Sequence, residues 1–171
     1  INAGDINPQN YWTPIGNNDS PFTGTFDGNG YKVSGVYIDD GSDNANLGLF
    51  GYLGEGGEIQ NVGVEDSYVR GTGGQASIGG VCGSSEGSIL SSYNAGSVEG
   101  TQSPAFVGGV CGYNANGGSI FNSYNTGSVT GGDNLSVGGV CGYNSRSSSI
   151  SNSYNTGLVT GKNNASVGGV C

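Results

Sequence analysis

Four cysteines recur at a nearly constant interval in the second half of the chain. Cys82, Cys111, Cys141 and Cys171 follow one another at spacings of 29, 30 and 30 residues. Four cysteines in an exported protein favour disulfides. No Cys-x-x-Cys pair and no histidine accompanies them, which argues against a zinc site. Whether they are thiols or disulfides therefore depends on how the fold arranges the intervening residues.

Carboxylates form a second group with possible chemistry. Asp39, Asp40 and Asp43 lie in one short segment whose oxygen atoms are suitable calcium ligands, although the spacing and final glutamate of an EF-hand are missing. Paired acids also catalyse glycoside hydrolysis, but here the acids cluster in predicted loops, which favours a solvated surface. The lack of histidine removes Ser-His-Asp and Cys-His catalysis. We expect a protein that is not an enzyme and holds no cofactor, with Asp39, Asp40 and Asp43 as a candidate calcium loop.

Tyrosines recur at the same interval as the cysteines. One set comprises Tyr93, Tyr124 and Tyr154, and a second comprises Tyr113 and Tyr143. Aromatic rings at a regular spacing pack against one another or stack on sugar rings. Ring-on-ring packing is the favoured interpretation, and contact of Tyr113 and Tyr143 with a glycan is the alternative.

The composition excludes two classes of partner. The chain has 171 residues, 37 glycines and a net charge of −9, with only four lysines and arginines. Without a basic patch it has no electrostatic basis for binding nucleic acid. No apolar run approaches the ~20 residues of a membrane helix, so membrane insertion is not expected. Abundant asparagine, glycine, serine and threonine with little lysine is typical of extracellular proteins, and we expect an extracellular or cell-surface location.

The cysteines belong to a longer repeat of three blocks. A Val/Ile-Gly-Gly-Val-Cys block is followed by a Ser-Ile block that ends in glycine, and then by a short Ser/Leu-Val-x-Gly block. The three blocks recur in this order at 78–100, 107–131 and 137–161, and the first block returns at 167–171. Before them, 22–77 holds a degenerate version of the same unit.

This period predicts an all-β chain that forms a parallel β-helix, or β-solenoid. Each block contains four to six β-branched or aromatic residues bounded by glycine or asparagine. Three short strands every 30 residues suit a three-sided coil, whereas a propeller blade needs four strands and ~40–50 residues. We expect about five coils: a possible N-terminal cap at 1–21, which includes Asp5 to Trp12, degenerate coils at 22–77, and regular coils at 78–171.

Stacked coils turn equivalent residues into columns. One predicted column points inward and holds aromatic residues and cysteines: Phe26, Phe50, Cys82, Cys111, Cys141 and Cys171. Stacked neighbours at ~4.8 Å are close enough for a disulfide. Their parallel side chains suit the disulfide torsion poorly, so free thiols are favoured over disulfides. A second column holds Asn61, Asn122 and Asn152, with Gly35 and Ser91 in the same slot, at a predicted turn where asparagine accepts left-handed backbone.

These residues resemble the GLUG-motif repeats of bacterial surface proteins. The resemblance rests on WTPIG at 12–16, PFTGTFDGNG at 21–30, GLFG at 48–51 and the VGGVCGYN units that lead to SYNTG. It implies a right-handed β-helix used as a surface stalk or adhesive region. Such repeats also occur beside IgA-cleaving metallopeptidase domains, but the His-Glu-x-x-His motif of those enzymes is absent from this sequence.

Together these observations predict a non-catalytic, extracellular structural or adhesive module of a bacterial surface protein. Its expected partners are surface glycans or proteins of a host or the environment. Two alternatives stay open. Because the sequence stops one strand into a new coil, we expect either a longer array or self-association of solenoid ends into a head-to-tail filament. The other alternative is a β-helix that binds or cleaves carbohydrate.

Overall fold

The computed structural model describes residues 11–145 and 147–171, and within them the chain is all-β, without a helix. The strands form five parallel sheets, and each complete coil contributes one strand to each sheet. The predicted solenoid of about five coils, with about 30 residues per coil, is confirmed. Residues 1–10, which hold part of the predicted cap, lie outside the described residues.

The first and second sheets follow each other within every coil. The first contains β4 (Asn46–Leu47), β9 (Ser77–Gly79), β14 (Phe106–Gly108), β19 (Ser136–Gly138) and β24 (Ser166–Gly168). The second contains β5 (Phe50–Leu53), β10 (Cys82–Ser85), β15 (Cys111–Asn114) and β20 (Cys141–Asn144). Upstream of β5, Ile15 and Phe22 form single parallel bridges with Phe50 and Leu53, so the second sheet begins with the segment around them.

The other three sheets complete each coil. The third contains β1 (Thr25–Asp27), β6 (Glu58–Gln60), β11 (Ser88–Leu90), β16 (Ser119–Phe121) and β21 (Ser149–Ser151). The fourth contains β2 (Lys32–Ser34), β7 (Gly63–Glu65), β12 (Tyr93–Asn94), β17 (Tyr124–Asn125) and β22 (Tyr154–Asn155). The fifth contains β3 (Tyr37–Asp40), β8 (Tyr68–Gly71), β13 (Ser97–Gly100), β18 (Val129–Gly131) and β23 (Val159–Gly161).

Two of the three sequence blocks are each divided into two strands. The Gly-Gly pair bends the cysteine block between the first and second sheets. A residue with positive φ, such as Asn122 at 53°, separates the third sheet from the fourth. The third block forms the fifth sheet alone. The right-handed, three-sided form of the coil stays a prediction.

Columns of β-branched side chains fill the interior. In the third sheet Ile59, Ile89 and Ile120 lie directly above one another and are fully buried. Equivalent valines line the fifth sheet, and Ile78 continues the pattern in the first. Burial of this apolar surface is the main favourable term for folding.

A polar column that the sequence analysis did not predict runs through the same interior. The Asn94 amide donates to Asn125 Oδ1 at 2.9 Å, and the Asn125 amide donates to Asn155 Oδ1 at 2.7 Å. Each of the three amides also donates to the carbonyl of the glycine two residues later, at 2.8 to 3.0 Å. Asn94 and Asn125 are buried, so these bonds satisfy groups that water cannot reach.

Replacement of Asn125 by alanine should destabilise the protein by about 2–4 kcal/mol, because it removes three hydrogen bonds of one amide and leaves a cavity. The free energy of unfolding in urea measures the effect. Asn122→Ser is the matched control. Asn122 is exposed, and Ser91 holds its slot in the preceding coil, so the control should lose less than about 1 kcal/mol. Equal losses of unfolding free energy in the two variants would show that the buried asparagine amides stabilise the protein no more than the exposed ones.

Candidate functional site

The cysteines stack as one column in the second sheet. Cys82 pairs with Phe50 below it and with Cys111 above it, and Cys111 pairs with Cys141. These three cysteines are buried free thiols, while Cys171 is exposed. Each buried sulfur lies 3.1 to 3.4 Å from the carbonyl oxygen two residues later, to which its S–H can donate.

The valine before each cysteine is buried as well. Val81 N and Cys82 N both donate to Val110 O at 3.0 Å, and Val110 N and Cys111 N both donate to Val140 O at 2.9 and 3.0 Å. Two successive amides that share one acceptor lie at a bend, where side chains no longer alternate between the two faces. The bend after the Gly-Gly pair brings Val and Cys into one interior.

The assignment of Phe26 to this column was wrong. Phe26 pairs with Ile59 in the third sheet, and Ile15 takes the position below Phe50. The early coil lacks a Gly-Gly-Val-Cys block, so counting from glycines shifted the alignment by one sheet. The Phe26 ring still reaches the same interior, with its centroid 5.2 Å from that of Phe50.

This environment suppresses thiol chemistry. Burial raises the pKa of the Cys111 thiol well above its usual value, because a thiolate there would lose its hydration. A protonated and inaccessible thiol is a poor nucleophile. The three buried cysteines therefore pack as part of the core.

Thiol titration separates free thiols from disulfides. In the native protein Cys171 should react rapidly with Ellman's reagent, and the three buried thiols should react at least about 1000-fold more slowly, since they need unfolding. After denaturation without reductant four thiols should be counted. Cys171→Ser should abolish the fast phase. A count below four in the denatured wild-type chain would reveal a disulfide.

The predicted asparagine column lies at the bend between the third and fourth sheets. Asn61, Ser91, Asn122 and Asn152 have φ between 47° and 54°, in the left-handed region. The Asn61 amide donates to Asp27 Oδ1 at 3.0 Å, and the Asn122 amide donates to Ser91 Oγ at 3.2 Å. Gly35 does not belong to this column, because it lies at the following bend, where its amide donates to Asp66 O. Gly28 takes its place, since Asp27 pairs with Gln60 immediately before Asn61.

The candidate calcium loop is not assembled. Asp39 lies 3.5 Å from Arg70, Asp40 accepts a hydrogen bond from Ser42 N at 2.6 Å, and Asp43 accepts one from Gly74 N at 2.8 Å. Each carboxylate thus has its own partner. In the described part of the chain, no three acidic, cysteine or histidine side chains lie together as a metal site.

The early coils instead carry two polar networks that cross three coils. In one, Glu65 accepts hydrogen bonds from Lys32 Nζ at 2.8 Å and from the Tyr93 hydroxyl at 2.6 Å. The hydrogen bond from Lys32 holds the pKa of Glu65 below its usual value. The hydrogen bond that Tyr93 donates to the same carboxylate raises the pKa of Tyr93 to about 12, because ionisation of the phenol would break that bond, and partial burial adds to the effect.

The second network is centred on Arg70. Its guanidinium lies 3.5 Å from Asp39 in the coil below and 3.6 Å from Glu99 in the coil above. The Tyr68 hydroxyl donates to Glu99 at 2.6 Å. Sequence reasoning missed both networks because their members are about 30 residues apart. With the corrected columns, the matched positions of Asp39, Arg70 and Glu99 would have identified the second.

Alkaline stability should depend on Glu65. Because the folded-state pKa of Tyr93 is about 12 against a usual value of 10.0, its contribution to stability is present below pH ~10 and is lost as the pH rises through about 12. In Glu65→Gln the decline in melting temperature over this range should be shallower. Glu55→Gln, in an exposed turn, is the control and should follow the wild type. Identical profiles for all three proteins would contradict the assignment.

The tyrosines form two different arrangements. Tyr93, Tyr124 and Tyr154 stack nearly parallel, with centroids 4.8 and 5.1 Å apart and interplanar angles of 3° and 4°. Tyr113 and Tyr143 are tilted by 45° at 5.7 Å, and Phe106 lies against both. We call Phe106, Tyr113 and Tyr143 the aromatic cluster. The sequence analysis did not single out Phe106, although serine occupies the equivalent position in the coils below and above.

These columns define a parallel β-solenoid repeat protein. A solved structure described as a "putative immunoglobulin A1 protease" from Bacteroides ovatus matches 80% of this chain and 49% of its own, with a TM-score of 0.51. Its sequence is 22% identical to this chain. At that identity the likeness concerns the fold.

The repeats give a more specific match than the fold does. The GLUG motif matches residues 107–130 and 133–160, which confirms the resemblance to GLUG-motif repeats. Similar sequences include a "Putative Gly-rich membrane protein" of Evansella cellulosilytica, 37% identical over 78 residues, and "Halomucin" of Haloquadratum walsbyi, 36% identical over 86 residues. The matches cover 46% and 50% of this chain. They span only 9% and 1% of those two proteins.

Membrane-spanning helices were also sought. None of the described residues forms a helix long and apolar enough to cross a bilayer.

Proposed function

We propose that this chain is a non-catalytic structural and adhesive module of an extracellular surface protein. The observation that carries the proposal is the unbroken register of five sheets, in which every coil bonds to the next through its backbone. A solenoid of this kind extends by about 4.8 Å for each added coil without changing its cross-section. Repetition of one stable unit is a direct way to build a stiff spacer of chosen length.

The relatives support an external location. One is described as a membrane protein, and another is named Halomucin. Each is far longer than the matched segment, as expected of a long protein that carries such coils in one part. The low lysine content and the acidic charge of −9 fit a solvated exterior.

The non-catalytic part of the proposal rests on the side chains. The sequence contains no histidine, so it lacks the metal ligands of the His-Glu-x-x-His peptidases. The buried cysteines pack in the core. Five charged side chains of the early coils form ion pairs with one another: Lys32 with Glu65, and Arg70 with Asp39 and Glu99. Adhesion by this module would therefore depend on exposed side chains that bind a partner, and not on a chemical reaction.

Brief protease treatment of intact cells of the source organism tests the location. Peptides from these coils should be released at a level comparable with a known surface protein, and a cytosolic protein should release none. Peptides that appear only after lysis would overturn the surface assignment. The tight interior predicts slow cleavage, so the protease should be added at several concentrations and for several times.

A further inference from the structure

The aromatic cluster is not required by the fold. The residues that pair with Phe106 in the coils below and above are Ser77 and Ser136. In the neighbouring column, Tyr113 pairs with Ser84 below and with Tyr143 above. Serine occupies both positions in the coil below, so the backbone forms without a ring there. Tyrosine returns in the second sheet at Tyr52, one coil below Ser84, whereas Phe106 interrupts its column alone.

The cluster also differs from the parallel tyrosine stack. Within that stack the middle ring, Tyr124, is covered on both faces by its neighbours, and Tyr93 is further tied to Glu65. In the cluster the rings are tilted by 28° to 45° to one another, so they do not form one parallel stack. Phe106 and Tyr113 remain partly exposed, and Tyr143 is 45% exposed.

An acidic side chain lies next to the column of Tyr113. Glu86 accepts a hydrogen bond from Tyr52, which lies below Ser84 in that column. Ser77 and Ser84 are buried in the coil below the cluster, and Ser136 is partly exposed in the coil above. The ion pairs of the described residues lie in other sheets, at Lys32, Glu65, Asp39, Arg70 and Glu99. Partly exposed aromatic faces and tyrosine hydroxyls match the apolar faces and hydroxyls of a neutral sugar, whereas the carboxylate of Glu86 would repel an acidic one.

Spacing favours a chain of sugars over a single one. Successive coils are separated by about 4.8 Å, which is close to the length of one pyranose unit in an extended polysaccharide. A chain that ran parallel to the solenoid axis would place successive rings over successive coils. Tyr113 and Tyr143 lie on such successive coils, and Phe106 lies between their rings.

We infer that Phe106, Tyr113 and Tyr143 form a contact platform for a neutral, linear polysaccharide. This inference rests on the proposed function, because the platform is useful only on an exposed module, and it names the class of partner that adhesion would use.

Affinity electrophoresis of the native chain tests it. The gels contain hydroxyethylcellulose, mixed-linkage β-glucan or galactomannan as neutral probes, and polygalacturonate or alginate as charged ones. At least one neutral polysaccharide should retard the chain, and the charged ones should not. Phe106→Ser and Tyr113→Ser, which insert the residue of the adjacent coil, should each weaken the retardation about tenfold or more.

Phe121→Ser is the matched control. Phe121 is 42% exposed on the third sheet, and Ser151 holds its slot in the next coil. The control removes one exposed ring away from the cluster and should bind like the wild type. The melting temperature of each variant checks folding. If Phe106→Ser unfolds, Phe106→Leu keeps the apolar volume without the aromatic face and should still lose binding.

Three outcomes would overturn the inference: no neutral polysaccharide retards the chain, only charged ones do, or Phe121→Ser loses as much binding as the cluster variants. A chain whose peptides are released from intact cells but that binds no polysaccharide would refute the platform and leave the surface module standing. A chain that binds polysaccharide but stays inside the cell would refute the proposed location instead.

Discussion

In-register stacking of parallel coils is the constraint on which the whole structure depends. Each strand bonds to the strand one coil away at the equivalent residue, so any side chain chosen at one position meets its own equivalent above and below. Interior positions must therefore tolerate self-contact. Isoleucine and valine do so by packing, cysteine by its small size, and asparagine because its amide donates to one neighbour and accepts from the other. Charged side chains stack favourably only when the sign alternates, as it does from Asp39 through Arg70 to Glu99.

Close backbone approach at the bends imposes the second constraint. A Cβ on Gly108 would collide with the carbonyl oxygen of Cys111, and one on Gly138 would collide with that of Cys141. Glycine is thus fixed where the first sheet turns into the second, because the strands on either side fold back on each other. At the bend after the third sheet the requirement is positive φ, and asparagine or serine satisfies it. The two kinds of bend explain why glycine and asparagine recur at separate points of the repeat.

Much of the fold follows from the period alone. Once the Gly-Gly-Val-Cys blocks are seen to recur, the number of coils, the burial of the cysteines and the turn position of Asn122 and Asn152 follow from geometry. The degenerate early coils were harder. There the glycines of the repeat are replaced or displaced. As a result Phe26 was assigned one sheet too early in the coil, and Gly35 was assigned one bend too early. The inner column of Asn94, Asn125 and Asn155 was missed because asparagine in a Ser-Tyr-Asn segment is expected at a surface turn. Its burial is stable only because the stack supplies partners that a single strand lacks.

Outward columns are free of these constraints, and that freedom marks where function should be sought. A residue that recurs in every coil is explained by the fold. A residue that departs from its own column has to be explained by something else. Glu65 departs from its column in the early coils, and its bonds with Lys32 and Tyr93 explain it. The charges of Arg70 and Glu99 are explained by the ion pair between them. Phe106 departs from a column of serines without any such internal partner except the two tyrosines beside it. In a protein built by repetition, a residue that breaks its own column is not explained by the repeat, and Phe106 is such a residue in the aromatic cluster.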